Sequence, residues 1–165
     1  MTQRQLNNRY MYGGQASAYA TAATPTTVLP KVQGFTPVNE QGLIYDYGMG
    51  EGDYPQTPVY GPDKCGGQID FNVVDFDFLK HWVGPKTGSG NSGSPYILTQ
   101  SSVVAVDTGS IQPFTLEVQN TTESTKTVDT YIGCVGNDFT LSADLGRILR
   151  CSATFIARRP LSGTS

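Results

Sequence analysis

A chain of 165 residues with a formal net charge of −3 and 15% charged side chains is sized for one domain and, folded alone, hides roughly 70% of its unfolded surface. Its 19 Gly and 10 Pro, with no long Ala/Leu/Glu/Lys runs, argue against a helical bundle and for many short strands. The acidity argues against a nucleic-acid reader, and no run approaches the ~18 apolar residues of a membrane span.

Residues 1–34 read as an extended N-terminal arm, because the stretch 13–25 is small and polar and could bury little apolar area. Tyr10, Tyr12 and Tyr19 are its exceptions. They suit an arm that orders on a neighbouring molecule, or equally a leader with scattered tyrosines. The opening Met1-Thr2-Gln3-Arg4-Gln5 lacks the apolar core of a secretory signal, so manufacture and assembly are expected in the cytoplasm. Between 32 and 61, Gly and Pro punctuate the chain, with short candidate strands at 42–47 and 57–60. Ile69, Phe71 and Val73 alternate with Asp70 and Asn72, a strand pattern. Residues 75–83 then read as the one short helix. Phe78, Leu79, Trp82 and Val83 lie along one side of it to cap the sheet, and Gly84-Pro85 stops it.

The stretch 87–95 has the composition of a flexible loop, and β pattern resumes at 96–99 and 101–106. Three alternating runs follow. Phe114, Leu116 and Val118 share a face, then Phe139, Leu141 and Ala143, then Cys151, Ala153, Phe155 and Ala157. Period two in three successive runs predicts an antiparallel meander with one face on a core. A polar loop at 120–126 joins the first two runs. The organisation expected is an arm (1–34), one mainly β domain (35–159) and a flexible tail (160–165).

Three cysteines, Cys65, Cys134 and Cys151, cannot all pair within one chain and lack zinc-site spacing. Cys134 and Cys151 lie on neighbouring predicted strands, so a bridge between them is conceivable, but buried free thiols explain them more simply. The single histidine, His81, has no GxSxG elbow to serve and reads as solvent-facing or capping. Gly88-Ser89-Gly90-Asn91-Ser92-Gly93 has GxGxxG spacing but follows no βαβ strand. The pairs Asp75/Asp77 and Glu51/Asp53 fall short of a calcium loop. No catalytic residue, cofactor or metal ligand is therefore assigned, which favours a structural or binding protein over an enzyme. Eight acids between Glu40 and Asp77 face only Lys64, while Arg147, Arg150, Arg158 and Arg159 cluster near the end. Either the two parts meet head to tail between copies, or both are ordinary solvated surface.

The run Phe114-Thr115-Leu116-Glu117-Val118, then Tyr131-Ile132-Gly133-Cys134-Val135-Gly136-Asn137-Asp138, then Ala153-Thr154-Phe155-Ile156-Ala157-Arg158, resembles tail tube proteins of long-tailed viruses of bacteria and archaea. The helix segment Phe78-Leu79-Lys80-His81-Trp82-Val83-Gly84 fits the same resemblance, which covers most of 35–159. It implies a tail-tube-like β-sandwich or barrel with one short helix, no catalysis and no cofactor. It also implies hexameric rings of identical copies, stacked into a hollow virion tail tube that passes double-stranded DNA. Tape-measure protein, tail terminator and this chain itself are the implied partners, with no membrane. The arm and loops then bridge rings, with Tyr10, Tyr12, Tyr19, Arg158 and Arg159 as expected inter-subunit residues. The rivals are a tail-terminator ring, a capsid-decoration protein, or a carbohydrate-binding β-sandwich using Tyr45, Tyr47, Tyr54 and Tyr60.

Overall fold

Residues 127–142 form one long strand, and the rest of the chain is arranged on its two halves. In the computed structural model, the structure describes residues 8–14, 21–29, 31–44, 59–103, 110–120, 127–158 and 161–164. The strands are β1 (Asn8–Gly14), β2 (Thr27–Val28), β3 (Val32–Ile44), β4 (Val59–Asn72), β5 (Lys86–Thr87), β6 (Ile97–Leu98), β7 (Phe114–Asn120), β8 (Thr127–Ser142), β9 (Arg150–Ala157) and β10 (Leu161–Thr164), with one helical turn, α1 (Lys80–Val83). The first half of β8 pairs with β7 and β10, and its second half, from Val135, pairs with β9. Gly133 holds φ at +62° just before this exchange, a conformation that a Cβ would strain.

β8 thereby joins two antiparallel layers. The first runs β2-β1-β7-β8-β10 and the second β8-β9-β4-β3. The expected meander is present as β7-β8-β9. Ring contacts cross between the layers: Tyr10 to Phe35 at 5.9 Å, Phe35 to Tyr131 at 5.8 Å and Phe114 to Phe155 at 5.9 Å. The core is where the alternating faces of both layers meet, and it is mainly aromatic.

The helix is shorter than the expected 75–83. Asp75 Oδ1 accepts the Asp77 N–H at 2.8 Å, a side-chain turn that competes with helical bonding, so only 80–83 is α-helical. Its apolar residues do cap the core: Phe78, Leu79 and Trp82 are buried. The Pro/Gly-punctuated stretch 32–44 is one continuous strand, tolerated because β3 is an edge strand, where Pro37 and Gly34 are permitted. The halves of the two short candidate strands at 45–47 and 57–58 lie outside the described residues, as do 104–106 and most of the loop at 120–126; residues 101–103 are not strand.

Three segments expected to be loose are built into sheets. Within the arm, β1 pairs with all of β7. Tail residues 161–164 pair with 127–130 of β8. The glycine-rich 87–95 loop closes the β5–β6 hairpin with a bridge between Asn91 and Ser94. There the Tyr96 ring lies where a Cβ on Gly90 would meet it at 2.6 Å, and Lys86 Nζ sits 4.1 Å over the ring centroid. Composition favoured mobility in each case; backbone pairing and ring packing, invisible to composition, prevailed.

Candidate assembly surfaces

The helical turn is locked onto the sheet by its aromatics. Phe78 lies 4.9 Å from Tyr12, 5.5 Å from Phe71, 4.6 Å from Trp82 and 5.5 Å from Phe114, centroid to centroid. Trp82 Nε1 donates to the Thr154 carbonyl at 2.8 Å. Its indole rests on Gly136, where a Cβ would stand 2.5 Å from Cγ; only glycine lets the strand backbone come so close. His81 is fully buried rather than solvent-facing. Its Nδ1 bonds the Gln112 carbonyl at 2.8 Å, which places the ring proton on Nδ1 because a carbonyl only accepts. Nε2 has no hydrogen-bond partner among the described residues. Burial pushes the imidazole pKa down to about 4, against a small upward pull from the Gln112 carbonyl. A neutral His in an aromatic pocket is a core residue.

Above this plug, Asp77 receives Lys80 Nζ at 3.0 Å, Lys86 Nζ and the Tyr12 hydroxyl at 3.4 Å. Burial alone would raise the Asp77 pKa, but the hydrogen bonds and charges of Lys86 and Lys80 hold it down at about 2. The cluster borders a cleft of about 270 Å³ with Ser110 and Gln112. It holds α1 and the β5–β6 hairpin together.

The second sheet has one face on the core and one outside. Register places Thr36, Val38, Gln68, Asp70, Ser152, Thr154, Ile156 and Thr140 on the outer face. Gln68 Nε2 donates to Asp70 Oδ1 and to Ser152 Oγ, both at 3.0 Å. A shallow groove of about 450 Å³ crosses this face over Gly66 and Gly67, between Val38 and Ile156. At the sheet's margins, β3 on one side and the second half of β8 on the other pair with no further strand among the described residues. Such edges are templates for another chain.

Of the expected contact residues, Tyr10 and Tyr12 face inward. Tyr12 is 3% exposed and Tyr10 packs on Phe35, so both rings fill this chain's own core, drawn in by the pairing of β1 with β7. Arg158 is exposed at the end of β9, with its N–H on the Ile132 carbonyl at 3.1 Å. Tyr19 and Arg159 lie outside the described residues, as do Tyr45, Tyr47 and Tyr54 of the aromatic cluster. Of the three that are described, Arg158 alone is exposed. Cys65, Cys134 and Cys151 are buried and form no disulfide; burial raises the pKa of Cys134 beyond the usual thiol range and that of Cys151 to about 11. Among the described residues no group of three or more His, Cys, Asp or Glu is placed to hold a metal, and no helix is long and apolar enough to cross a membrane.

The sequence profile of the phage tail tube protein family matches residues 6–165. The chain belongs to that family. Its role is structural, as a component of a viral tail tube, and membership places it in the virion tail. No curated protein is significantly similar to it in sequence. Among solved structures, the tail tube of SPP1 superposes with a TM-score of 0.55 at 11% identity, over 96% of this chain and 77% of that one. The sheath–tube complex of an extracellular contractile injection system, PVC in its extended state, gives 0.55 at 12% identity, over 95% and 89%. The tube-terminating cap of the anti-feeding prophage gives 0.53 at 12% identity, over 100% and 95%. At such identities the likeness is one of fold: mainly antiparallel β with one short helix.

Proposed function

We propose that copies of this subunit join edge to edge through the second sheet into closed rings of six, and that the rings stack into a hollow tube through which double-stranded DNA passes. The observation that carries this reading is the four-strand order β8-β9-β4-β3, with both margins unpaired among the described residues. Every neighbouring pair in it is antiparallel, so β3 runs opposite to β8. A copy rotated about a ring axis then brings its β8 against β3 of the next in antiparallel sense, and the alternation continues unbroken. Main-chain hydrogen bonds would complete at each junction, and closure would remove the exposed edges altogether.

The outer face of that sheet becomes the lumen wall. Its Thr36, Gln68, Asp70, Ser152, Thr154 and Thr140 offer DNA short polar side chains, with Lys64 and Arg150 only towards its two ends. Few cations on the wall means few phosphate contacts, and each such contact would add salt-dependent grip. The subunit acts without catalysis or cofactor. Tape-measure protein and tail terminator are its expected partners, and assembly takes place in the host cytoplasm. Arm residue Tyr19, the exposed Arg158 and Arg159 are kept as contacts to neighbouring subunits, within an organisation of arm (1–34), domain (35–159) and tail (160–165).

Electron microscopy of the purified protein tests this directly. Long hollow filaments of constant width are expected. Single rings that never stack would point to a terminator, and a monodisperse monomer at high concentration would overturn the reading.

A further inference from the structure

The β5–β6 hairpin stands outside both layers. It forms a two-stranded sheet of its own, with Lys86 opposite Leu98 and Thr87 opposite Ile97. A lone pair of strands is marginal in water, and every residue from Thr87 to Ile97 is exposed. Leu98 is the side chain of these two strands that packs against the core cluster. The stem, by contrast, is tight. The Thr99 N–H donates to the Pro85 carbonyl at 3.0 Å and the Ser101 N–H to the Val83 carbonyl at 2.9 Å, directly beyond α1. Between these bonds Gly84 holds φ at +138°, and a Cβ there would run into the Thr99 carbonyl.

Beyond the stem, the hairpin is tied to the rest of the subunit by a relay of polar and aromatic side chains. Lys86 Nζ bonds Asp77 Oδ1 and also sits over the Tyr96 ring, on the opposite arm of the hairpin. That ring in turn lies against Gly90 at the tip. On the other side, Asp77 is fixed to the body by Lys80 Nζ at 3.0 Å and by the Tyr12 hydroxyl at 3.4 Å. One carboxylate therefore carries the connection between body and hairpin. The Lys86 and Asp77 side chains are partly exposed, 23% and 32%, and a pair of that kind shifts an equilibrium only several-fold. A segment held so lightly opens at lower cost than the sheets it leans on.

We propose that the β5–β6 hairpin is a strap that opens about its Gly84 stem while the two layers stay folded, and that Asp77, by holding Lys86, is the latch that keeps it closed. Closed, its Pro85 and Lys86 help to line the cleft of about 270 Å³ together with Ser110 and Gln112. Open, it uncovers that cleft and releases the Lys86 ammonium and the Tyr96 ring towards a neighbouring molecule. Asp77 is a positioning residue here. The inference concerns the single subunit and stands whether or not the tube reading does.

Trypsin tests this, because cutting after Lys86 requires its ammonium to leave the latch and the strand around it to unpair. Where opening and closing are fast, the rate follows the open population. Full-length wild type, Asp77→Asn and Lys80→Gln are digested and the products identified by mass spectrometry. Cleavage after Arg150, in a strand flanked by β4 and β8, reports opening of the sheets. Asp77→Asn is expected to speed the Lys86 cut about three- to tenfold and to leave the Arg150 cut unchanged. Lys80→Gln leaves Asp77 to Lys86 and should not speed the Lys86 cut. An unchanged Lys86 rate in Asp77→Asn, or an equal acceleration in Lys80→Gln, would overturn the latch. Equal acceleration at Lys86 and Arg150 would overturn the strap as a separate unit. Wild type in low and high salt gives a second measurement that needs no variant to fold. Screening of the ion pair should raise the Lys86 rate about twofold or more relative to the same segment as a free peptide, and a ratio independent of salt would overturn the latch.

Discussion

The two halves of the β3–β4 pair are the same kind of structure in opposite circumstances. From Cys65 to Asn72, β4 has β3 on one side and β9 on the other, and Ile69 and Phe71 are sealed beneath the aromatic plug of α1. From Val59 to Lys64 it pairs with β3 alone among the described residues, and Glu40 and Gly42 on that part of β3 are exposed. The inner half is completed by the chain itself; the outer half has one neighbouring strand among the described residues. A subunit that must polymerise divides its strands in this way. Enough apolar area is enclosed to fold, and enough edge is left open to assemble.

The hardest test of that division is Phe78→Ala. Phe78 touches Tyr12, Phe71, Trp82 and Phe114 in the plug. Its removal should cost about 3–5 kcal/mol in urea unfolding, enough to abolish most folded subunit. A loss below about 1 kcal/mol would mean that the plug is not where the fold is held.

Acid should act on the same half. His81 is neutral in the folded chain, with its pKa held at about 4 against 6.5 when exposed. The unfolded chain therefore binds the proton first as pH falls. Stability from this group is complete above pH 6.5, declines between 6.5 and 4, and is level below, for a total of about 3 kcal/mol. Asp77, held at about 2, adds its own loss only below about pH 4. In His81→Asn the decline between pH 6.5 and 4 should vanish, whatever the absolute stability; a slope identical to wild type would assign it elsewhere.

Gly136→Val is expected to cost about 1–3 kcal/mol, because its Cβ claims the place of the Trp82 indole. Loss of the bond to the Thr154 carbonyl and entry of water should shift Trp82 fluorescence, the only tryptophan signal, to the red. Smallest of all is the expected effect of Glu40→Gln on the outer half. Subunit stability should change by less than about 0.5 kcal/mol in urea unfolding, because Glu40 is exposed. If Glu40→Gln instead destabilised the isolated subunit as Gly136→Val does, the outer half would belong to the folded core after all.

Much of this was readable in residue order. The β7-β8-β9 meander, the burial of Phe78, Leu79 and Trp82, and the free thiols follow from period-two alternation and from the apolar spacing before Gly84. The misreadings share one physical cause. Tyr10, Tyr12 and the tail at 161–164 sit in sequences too polar to predict burial or pairing, and they are ordered by strands more than thirty residues away. His81 looked like a surface residue because nothing local reveals Tyr12 and Phe114 closing over it. No local signal identifies Gly136 as the seat of an indole 54 positions earlier.

The sequence by itself determined that this chain is a mainly β subunit with one short helix, and its motifs carried the resemblance to tail tube proteins. These are local quantities, fixed by which residue types alternate and where turns interrupt them. Only the tertiary structure decided which of the described strands are flanked on both sides and which on one. Those depend on long-range register: β8 divides itself between two layers, β9 stops at Cys65, and the unpaired margins fall where that partition leaves them.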